Sequence, residues 1–361
     1  MLRQEPFLRW IVVIARHQEA QAEIKQLQTM RQQIKASQKD WHVRLNDDKE
    51  KTVVLIIGES ANKHNWGNYG YPRPTTLPLE NTLSELSGHT VWFRNAASTA
   101  AFTLPSLQRA LTPASKETPD KWKNTPDIFM LANAAGYQIT WLSNQPSNDG
   151  WIATLGKSAD KSVFINSGNW RDSSTTDLDL LPELDKHLSL PAAKKELIVL
   201  HLLGQHFHYQ LRCPDNIKPY EGIDDDQVMQ LMKSQGRSSA IRKTRNDYDN
   251  AVYCGSILLS DVLKDLVKKR ENRDLSVVYF SDHGQEVGHS QNFAGHSEAT
   301  SNGYDIPLFI WKNTVVTEKN IFHQEPFSLD DLDYLMHDVL NINSSFYKSN
   351  LNTQKSVIYL K

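Results

Sequence analysis

The sequence predicts an α/β fold built on a mainly parallel central sheet with helices on both faces, and three runs of residues carry that prediction. Residues 53–57, 197–203 and 277–280 are short apolar stretches rich in Val, Ile and Leu. A strand with one wet face alternates polar and apolar positions, so unbroken runs belong to strands buried on both faces. Helical patterns lie between the runs, as the crossovers of parallel strands require. Each run also leads to a residue able to bind metal: Gly58-Glu59-Ser60 after the first, His206 beyond the second, Ser281-Asp282-His283-Gly284 after the third. Ligands of open α/β sheets sit at the carboxyl ends of the strands. One strand-end carboxylate can simply cap the next helix; three such endings, one with Asp and His adjacent, point to a metal centre.

The elements follow in order. Residues 7–15 are apolar but short and interrupted by Arg9. They cannot span a bilayer, which takes about 20 residues, and no small-residue cleavage site of the signal-peptide kind follows. Residues 16–38 read as a polar helix whose Ile24, Leu27, Met30 and Ile34 recur at three- and four-residue steps, giving one narrow apolar face. That face either packs on the domain or belongs to a juxtamembrane helix whose upstream anchor is absent from this chain. Residues 39–51 read as a charged linker, so 1–50 is expected to be a juxtamembrane segment and 51–361 the catalytic domain. A strand at 52–57 precedes a proline-rich turn at 68–76, where prolines forbid regular structure. Then come a helix at 79–87, a strand at 91–93, a helix at 105–111, a helix at 127–135 stopped by Gly136 and a strand at 137–142. A helix at 178–188 and a strand at 196–203 follow. Residues 214–240 read as an irregular insertion and 247–270 as a long amphipathic helix. A strand at 275–280, a His- and Gly-rich loop to 302, a strand at 308–311 and a helix at 329–340 complete the pattern. Alternation of this kind means a sheet covered on both sides.

With 361 residues the chain is long enough for one large α/β domain or for two smaller ones. A formal net charge of −2 excludes a protein that coats nucleic acid, and no repeat or low-complexity tract is present. Cys213 and Cys254 either pair or stay free; their neighbours match no zinc-knuckle spacing, and a structural role outweighs a catalytic one.

A fourth feature turns a metal site into a mechanism. In Phe102-Thr103-Leu104-Pro105-Ser106 a threonine precedes a proline-started helix, so Thr103 lies at or beside the N-cap. Its hydroxyl either caps the helix or acts as a nucleophile beside a metal, with the helix N-terminus receiving the attacked phosphate.

The motifs together resemble the catalytic domain of the phosphoethanolamine transferases of Gram-negative envelopes, within the alkaline phosphatase and sulfatase superfamily. They are Ile57-Gly58-Glu59-Ser60, Tyr69-Gly70-Tyr71-Pro72-Arg73-Pro74-Thr75-Thr76, Thr103-Leu104-Pro105-Ser106, His201-Leu202-Leu203-Gly204-Gln205-His206, Tyr248-Asp249-Asn250-Ala251 and Ser281-Asp282-His283-Gly284. They keep the family's order across residues 52–340. The resemblance implies an alkaline phosphatase/sulfatase-like fold and zinc held by Glu59, Thr103, Asp282 and His283, with a second zinc as an extension. It implies that Thr103 takes phosphoethanolamine from phosphatidylethanolamine and passes it to lipopolysaccharide, on a core sugar or phosphate or on lipid A. His206 and His296 match histidines that bind the phosphoryl group and protonate the leaving oxygen, and Asn144 matches a substrate-contacting position. The implied location is the periplasmic face of the inner membrane. Threonine stands where sulfatases carry a modified cysteine or serine, which argues against sulfate esters.

Several positions compete. Thr99 lies four residues before Thr103, and His289 competes with His296. Gln285 stands where the family usually has glutamate, with Glu286 one step along. His208 reads as a surface histidine and His201 as a core one. Two other functions use the same first half-reaction or none: a metal-dependent phosphodiesterase or phosphatase that releases its intermediate to water, and an inactive lipid-binding relative.

Overall fold

The computed structural model describes residues 6–346 except 149, 170, 172 and 173, with side chains from residue 21 onward. Helix α1 (Pro6–Ala36) leads into β1 (Arg44–Leu45) and β2 (Lys51–Gly58). Helix α2 (Leu77–Glu85), strand β3 (His89–Ala97), helix α3 (Thr103–Ala110) and helix α4 (Ile128–Ala134) follow. Next are β4 (Gln138–Ser143), α5 (Gly150–Lys157), β5 (Lys161–Phe164), α6 (Leu181–Leu188) and β6 (Lys195–His201). Helices α7 (Gln227–Ser234) and α8 (Ser239–Lys269) lead to β7 (Asp274–Ser281), β8 (Glu286–Val287) and β9 (Ala294–Gly295). Strands β10 (Leu308–Lys312) and β11 (Asn320–Ser328), helix α9 (Leu332–Val339) and β12 (Ile342–Asn343) are the last elements of the described residues.

Eight strands form the central sheet in the order β11-β3-β10-β7-β2-β6-β4-β5. Neighbours run parallel except on either side of β10, which is antiparallel to both β3 and β7. The three apolar runs of the sequence are the adjacent strands β7, β2 and β6 at its centre. Every residue of β2 is buried. Because side chains alternate across a strand, Val53, Leu55 and Ile57 face a core shared with α1, α4, α5 and α9. Val54 and Ile56 face the other, shared with α2, α6 and α8.

The structure corrects several boundaries. Residues 39–51 are not a free linker: Trp41 is buried, and β1 pairs with β12 before β2 begins. The apolar face of α1 packs on the domain through Leu27, Met30 and Ile34, and Arg31 ion-pairs with Asp127, the N-cap of α4. The 214–240 insertion contains α7, whose Val228, Met229 and Met232 form a small core of their own. Helix α8 starts at Ser239, earlier than its apolar periodicity suggests, because the Ser238 side chain accepts from Ile241 N. Helix α5 carries no polar face for a periodicity reading to find, since six of its residues are buried. Strand β11 contains Pro326, tolerated at an edge with a register shift. Cys213 and Cys254 are disulfide-bonded with Cα atoms 5.6 Å apart, tying the loop beyond His206 to α8.

One buried ion cluster sits beneath the central strands. Glu196 on β6 accepts from Arg270 Nε at 2.9 Å and from Thr52 Oγ1 at 3.0 Å, and lies 3.0 Å from His187 Nε2. Burial would raise its pKa, but His187 and Arg270 hold it down at about 2. Its stabilising effect is therefore complete above the ordinary glutamate range and is lost as pH falls from there toward 2. Replacing Arg270 with Met leaves this carboxylate buried and half-paired, and should cost about 3–5 kcal/mol at pH 7. Urea unfolding should show that penalty shrinking below pH 4 as Glu196 protonates in both proteins.

Candidate active site

Strands β2 and β7 lie side by side, with Gly58 opposite Ser281, so the residues that follow them meet at the carboxyl edge. Gly58 permits the close approach: a Cβ there would lie 2.7 Å from the Tyr279 hydroxyl. Glu59, Asp282 and His283 are all buried, and one ligand atom from each falls within 4.8 Å of the others. His283 Nδ1 is 2.7 Å from Gly284 O. A carbonyl only accepts, so Nδ1 carries the proton and Nε2 faces the carboxylates, 3.3 Å from Glu59 Oε1 and 3.5 Å from Asp282 Oδ2. Asp282 Oδ1 accepts the backbone N–H groups of Ser60 and His283, at 2.9 and 2.7 Å. Its Oδ2 is buried without a hydrogen-bond partner.

Two buried carboxylates and an imidazole lone pair need a cation between them. Without a metal, that cation is a proton. Burial and the charge of Glu59 push Asp282 up to about 7, while His283 rises to about 9 against its own burial because both carboxylates favour its charged form. A divalent ion satisfies the same groups and the orphaned Oδ2. The carbonyl bond to the far ring nitrogen is how metal-bound histidines are oriented. The mixed N/O donor set lies within zinc's habits.

Thr103 is the first residue of α3, following Phe102 at the N-cap. Its Oγ1 is 3.2 and 3.3 Å from the two Glu59 oxygens and 3.4 Å from His283 Nε2. No side chain caps this helix, so its first N–H groups remain for an incoming anion. Ser106, the last residue of the Thr-Leu-Pro-Ser motif, donates to Asp282 O and locks α3 against the end of β7. Thr99 is turned elsewhere, donating to Asp330 Oδ1 at 2.6 Å.

The histidines divide cleanly. His296 comes to the cluster, its ring 4.7 Å from that of His283 and 6.3 Å from that of His206. His289 does not; it hydrogen-bonds Asn65 at 2.8 Å in a separate network with Glu286. Burial lowers the pKa of both His206 and His296, which favours their neutral forms. His206, Glu59, Thr103, Gln145 and His201 line a cavity of about 250 Å³. His201 is buried as a core residue, 3.3 Å from Ser143 Oγ, yet it also faces this cavity. His208 is half-buried in a left-handed turn. Asn144 is not brought to the cluster: its amide donates to Asp177 and accepts from Thr175, at 2.8 and 2.7 Å. Gln285 turns inward to the Tyr209 hydroxyl, and Glu286 to Asn302.

Three supporting residues had no readable role in the sequence. The Tyr248 hydroxyl donates to Ser60 O at 2.6 Å and accepts from Asn62 N at 2.8 Å, clamping the turn after Glu59. Ser281 Oγ accepts from Ala61 N. Asp177 accepts the backbone N–H groups of Leu203 and Gly204, both at 2.8 Å, and so shapes the turn before His206. The Tyr-Asp-Asn motif marked Tyr248; nothing marked Asp177, which acts on residues 26 and 27 positions away.

Residues 51–341 match the sulfatase family. The chain belongs to that family. Within it, the chain is 29% identical over 309 residues to phosphoethanolamine transferase EptC of Escherichia coli (strain K12), covering 82% of this chain and 52% of that protein. It is 32% identical over 291 residues to phosphoethanolamine transferase CptA of Salmonella typhimurium, covering 78% and 48%. The chain thus spans about half the length of the curated relatives it matches. The crystal structure of the C-terminal periplasmic domain of Escherichia coli EptC in complex with Zn superimposes with a TM-score of 0.75 at 27% identity, covering 85% of this chain and 87% of that one. The soluble domain of lipooligosaccharide phosphoethanolamine transferase A from Neisseria meningitidis shares the fold, with a TM-score of 0.65 at 21% identity over 86% and 94%. This sulfatase-family sheet is mixed, with its ligand-bearing strands parallel.

Gly204 tests the cluster without replacing a candidate ligand. Its φ is +54°, and a Cβ there would lie 2.6 Å from Glu59 O and 2.8 Å from Glu59 N. Gly204→Ala should displace Glu59 and lower metal content at least tenfold by elemental analysis of the purified protein, as should Asp282→Asn.

Proposed function

We propose that this chain is the catalytic part of an enzyme that transfers phosphoethanolamine from phosphatidylethanolamine to a lipopolysaccharide acceptor, with Thr103 as the nucleophile. The observation that supports it most is the Thr103 hydroxyl, held at the open N-terminus of α3 within 3.2–3.4 Å of Glu59 and His283. Glu59, Asp282 and His283, with Thr103, would hold one zinc ion. When bound, zinc lowers the pKa of the threonine hydroxyl and offsets charge on the phosphoryl oxygens.

In the first half-reaction Thr103 Oγ1 attacks phosphorus. A Thr–O–P bond forms, the P–O bond to the glycerol breaks, and diacylglycerol leaves. One proton moves in total, from the threonine hydroxyl to the departing oxygen. The imidazoles of His206 and His296 face each other beside the cluster and can carry it. In the return step a hydroxyl oxygen of the acceptor attacks the same phosphorus, the bond from Thr103 Oγ1 to phosphorus breaks, and the acceptor's proton passes to Oγ1. The N–H groups at the start of α3 receive the phosphoryl oxygens in both directions.

Placement on the periplasmic face of the inner membrane of a Gram-negative bacterium follows from the same reading, with residues 1–50 as the juxtamembrane segment. Among the described residues no helix is long and apolar enough to cross a membrane.

The test is mass spectrometry of the protein after incubation with a phosphatidylethanolamine analogue. The added group should sit on Thr103, and Thr103→Ala should lose at least about a thousandfold in turnover. An adduct on Thr99, or turnover with no adduct, overturns the assignment. Mass analysis of lipopolysaccharide from cells with and without the full-length protein identifies the acceptor.

A further inference from the structure

We propose that the face around Thr103 docks on a phospholipid bilayer, with Phe102, Leu104, Phe207 and Phe293 entering the headgroup layer. This rests on the lipid-donor reading above and adds the surface that brings the site to its donor. These four side chains are 43%, 46%, 42% and 44% exposed. Single exposed apolar residues are ordinary on any protein; a group of them around one functional site is not. Phe102 and Leu104 flank Thr103. The Phe102 ring packs on His296 at 5.2 Å, and His296 lies 6.3 Å from His206, whose neighbour is Phe207. Phe293 folds over Gly295, where a Cβ would meet its ring at 2.8 Å. The four therefore lie on the segments that carry Thr103, His206 and His296.

Two further observations commit this face to a bilayer. The first is the direction of α1. Glu23 lies beside Gly150, which begins α5 just after the carboxyl end of β4, whereas Lys35 and Gln38 share a cavity with Ala159, just before β5 begins. Helix α1 thus descends from the carboxyl edge of the sheet to its amino edge. The helical residues before Gln21 extend about 20 Å further on the Thr103 side at 1.5 Å per residue. Their sequence, Phe7-Leu8-Arg9-Trp10-Ile11-Val12-Val13-Ile14-Ala15, is apolar apart from Arg9, a composition compatible with contact with a bilayer. The second is size. The cavity at Thr103 holds about 250 Å³, below the roughly 300–1,000 Å³ of ordinary ligand pockets. It has room for a headgroup and none for two acyl chains, so the chains must stay in the bilayer while the phosphate is attacked.

The experiment is flotation of this chain with vesicles of phosphatidylcholine and phosphatidylglycerol, which carry no donor headgroup. The double variant Phe207→Ser, Phe293→Ser should bind at least tenfold more weakly with an unchanged melting temperature. Its turnover of vesicle-embedded phosphatidylethanolamine should fall about as much, while turnover of a water-soluble dibutyryl phosphatidylethanolamine stays the same. Equal flotation of parent and variant overturns the docking face. So does a concentration-dependent dimer abolished by the same substitutions without any flotation, which gives the face to a second copy. Weakened flotation with no turnover of either substrate supports the docking face and sinks the transferase reading instead.

Discussion

Everything around the site answers to one constraint: two carboxylates and an imidazole buried together at the end of a parallel sheet need a positive charge among them. Glu59, Asp282 and His283 are each shielded from solvent, so water cannot relieve their mutual repulsion. The protein meets that constraint partly from its backbone. Asp282 Oδ1 is filled by two N–H groups, and His283 Nδ1 is engaged by a carbonyl. What remains unsatisfied points inward, toward one another and toward Thr103. A hydroxyl at that point would be the most easily ionised alcohol in the neighbourhood once a cation is present, and in the proposed reaction the bare N-terminus of α3 would receive the charge that its attack creates.

Long helix α8 makes the arrangement rigid. Its Tyr248 clamps the turn after Glu59 through two backbone groups. Asp249, the next residue, accepts from Asn65, Tyr71 and Arg73 at 2.7, 2.6 and 2.6 Å, binding the proline-rich turn to the same helix. One turn further on, Cys254 holds Cys213 and with it the loop after His206. Closing a loop of sequence separation 41 restricts the unfolded chain by about 4 kcal/mol. Ligand turn, proline-rich turn and histidine loop are thus fastened to three neighbouring positions of a single helix.

What could be read from the sequence follows from this layout. Buried parallel strands leave continuous apolar runs, so β2, β6 and β7 were plain, and the residues ending them marked the site before any geometry was known. Thr103 was legible because Pro105 dates the start of its helix. Elements whose pattern is diluted were not: α5 is buried nearly all round, β11 is an edge strand interrupted by proline, and β1 has two residues. The histidines could not be sorted by spacing, because the loop from Gly284 to His296 doubles back through the β8–β9 hairpin and delivers His296 to the site and His289 away from it. Asp177 was invisible because its role is to bind backbone N–H groups, which carry no trace in sequence.

In the proposed reaction, the choice of acceptor would fall to the parts of the cavity wall that α8 does not hold. Gln145 is tethered to Leu202 O at 2.9 Å and moves with the central strands. Asn148 and Asn169, on the connections flanking α5 and β5, are exposed where they line the same cavity. The ligand cluster and the nucleophile have little latitude, since a shift of either breaks several buried hydrogen bonds at once. The segments carrying Asn148 and Asn169 can change length or charge without disturbing them. Both of those positions present a neutral amide, which offers hydrogen bonds and no charge to a group that enters the cavity.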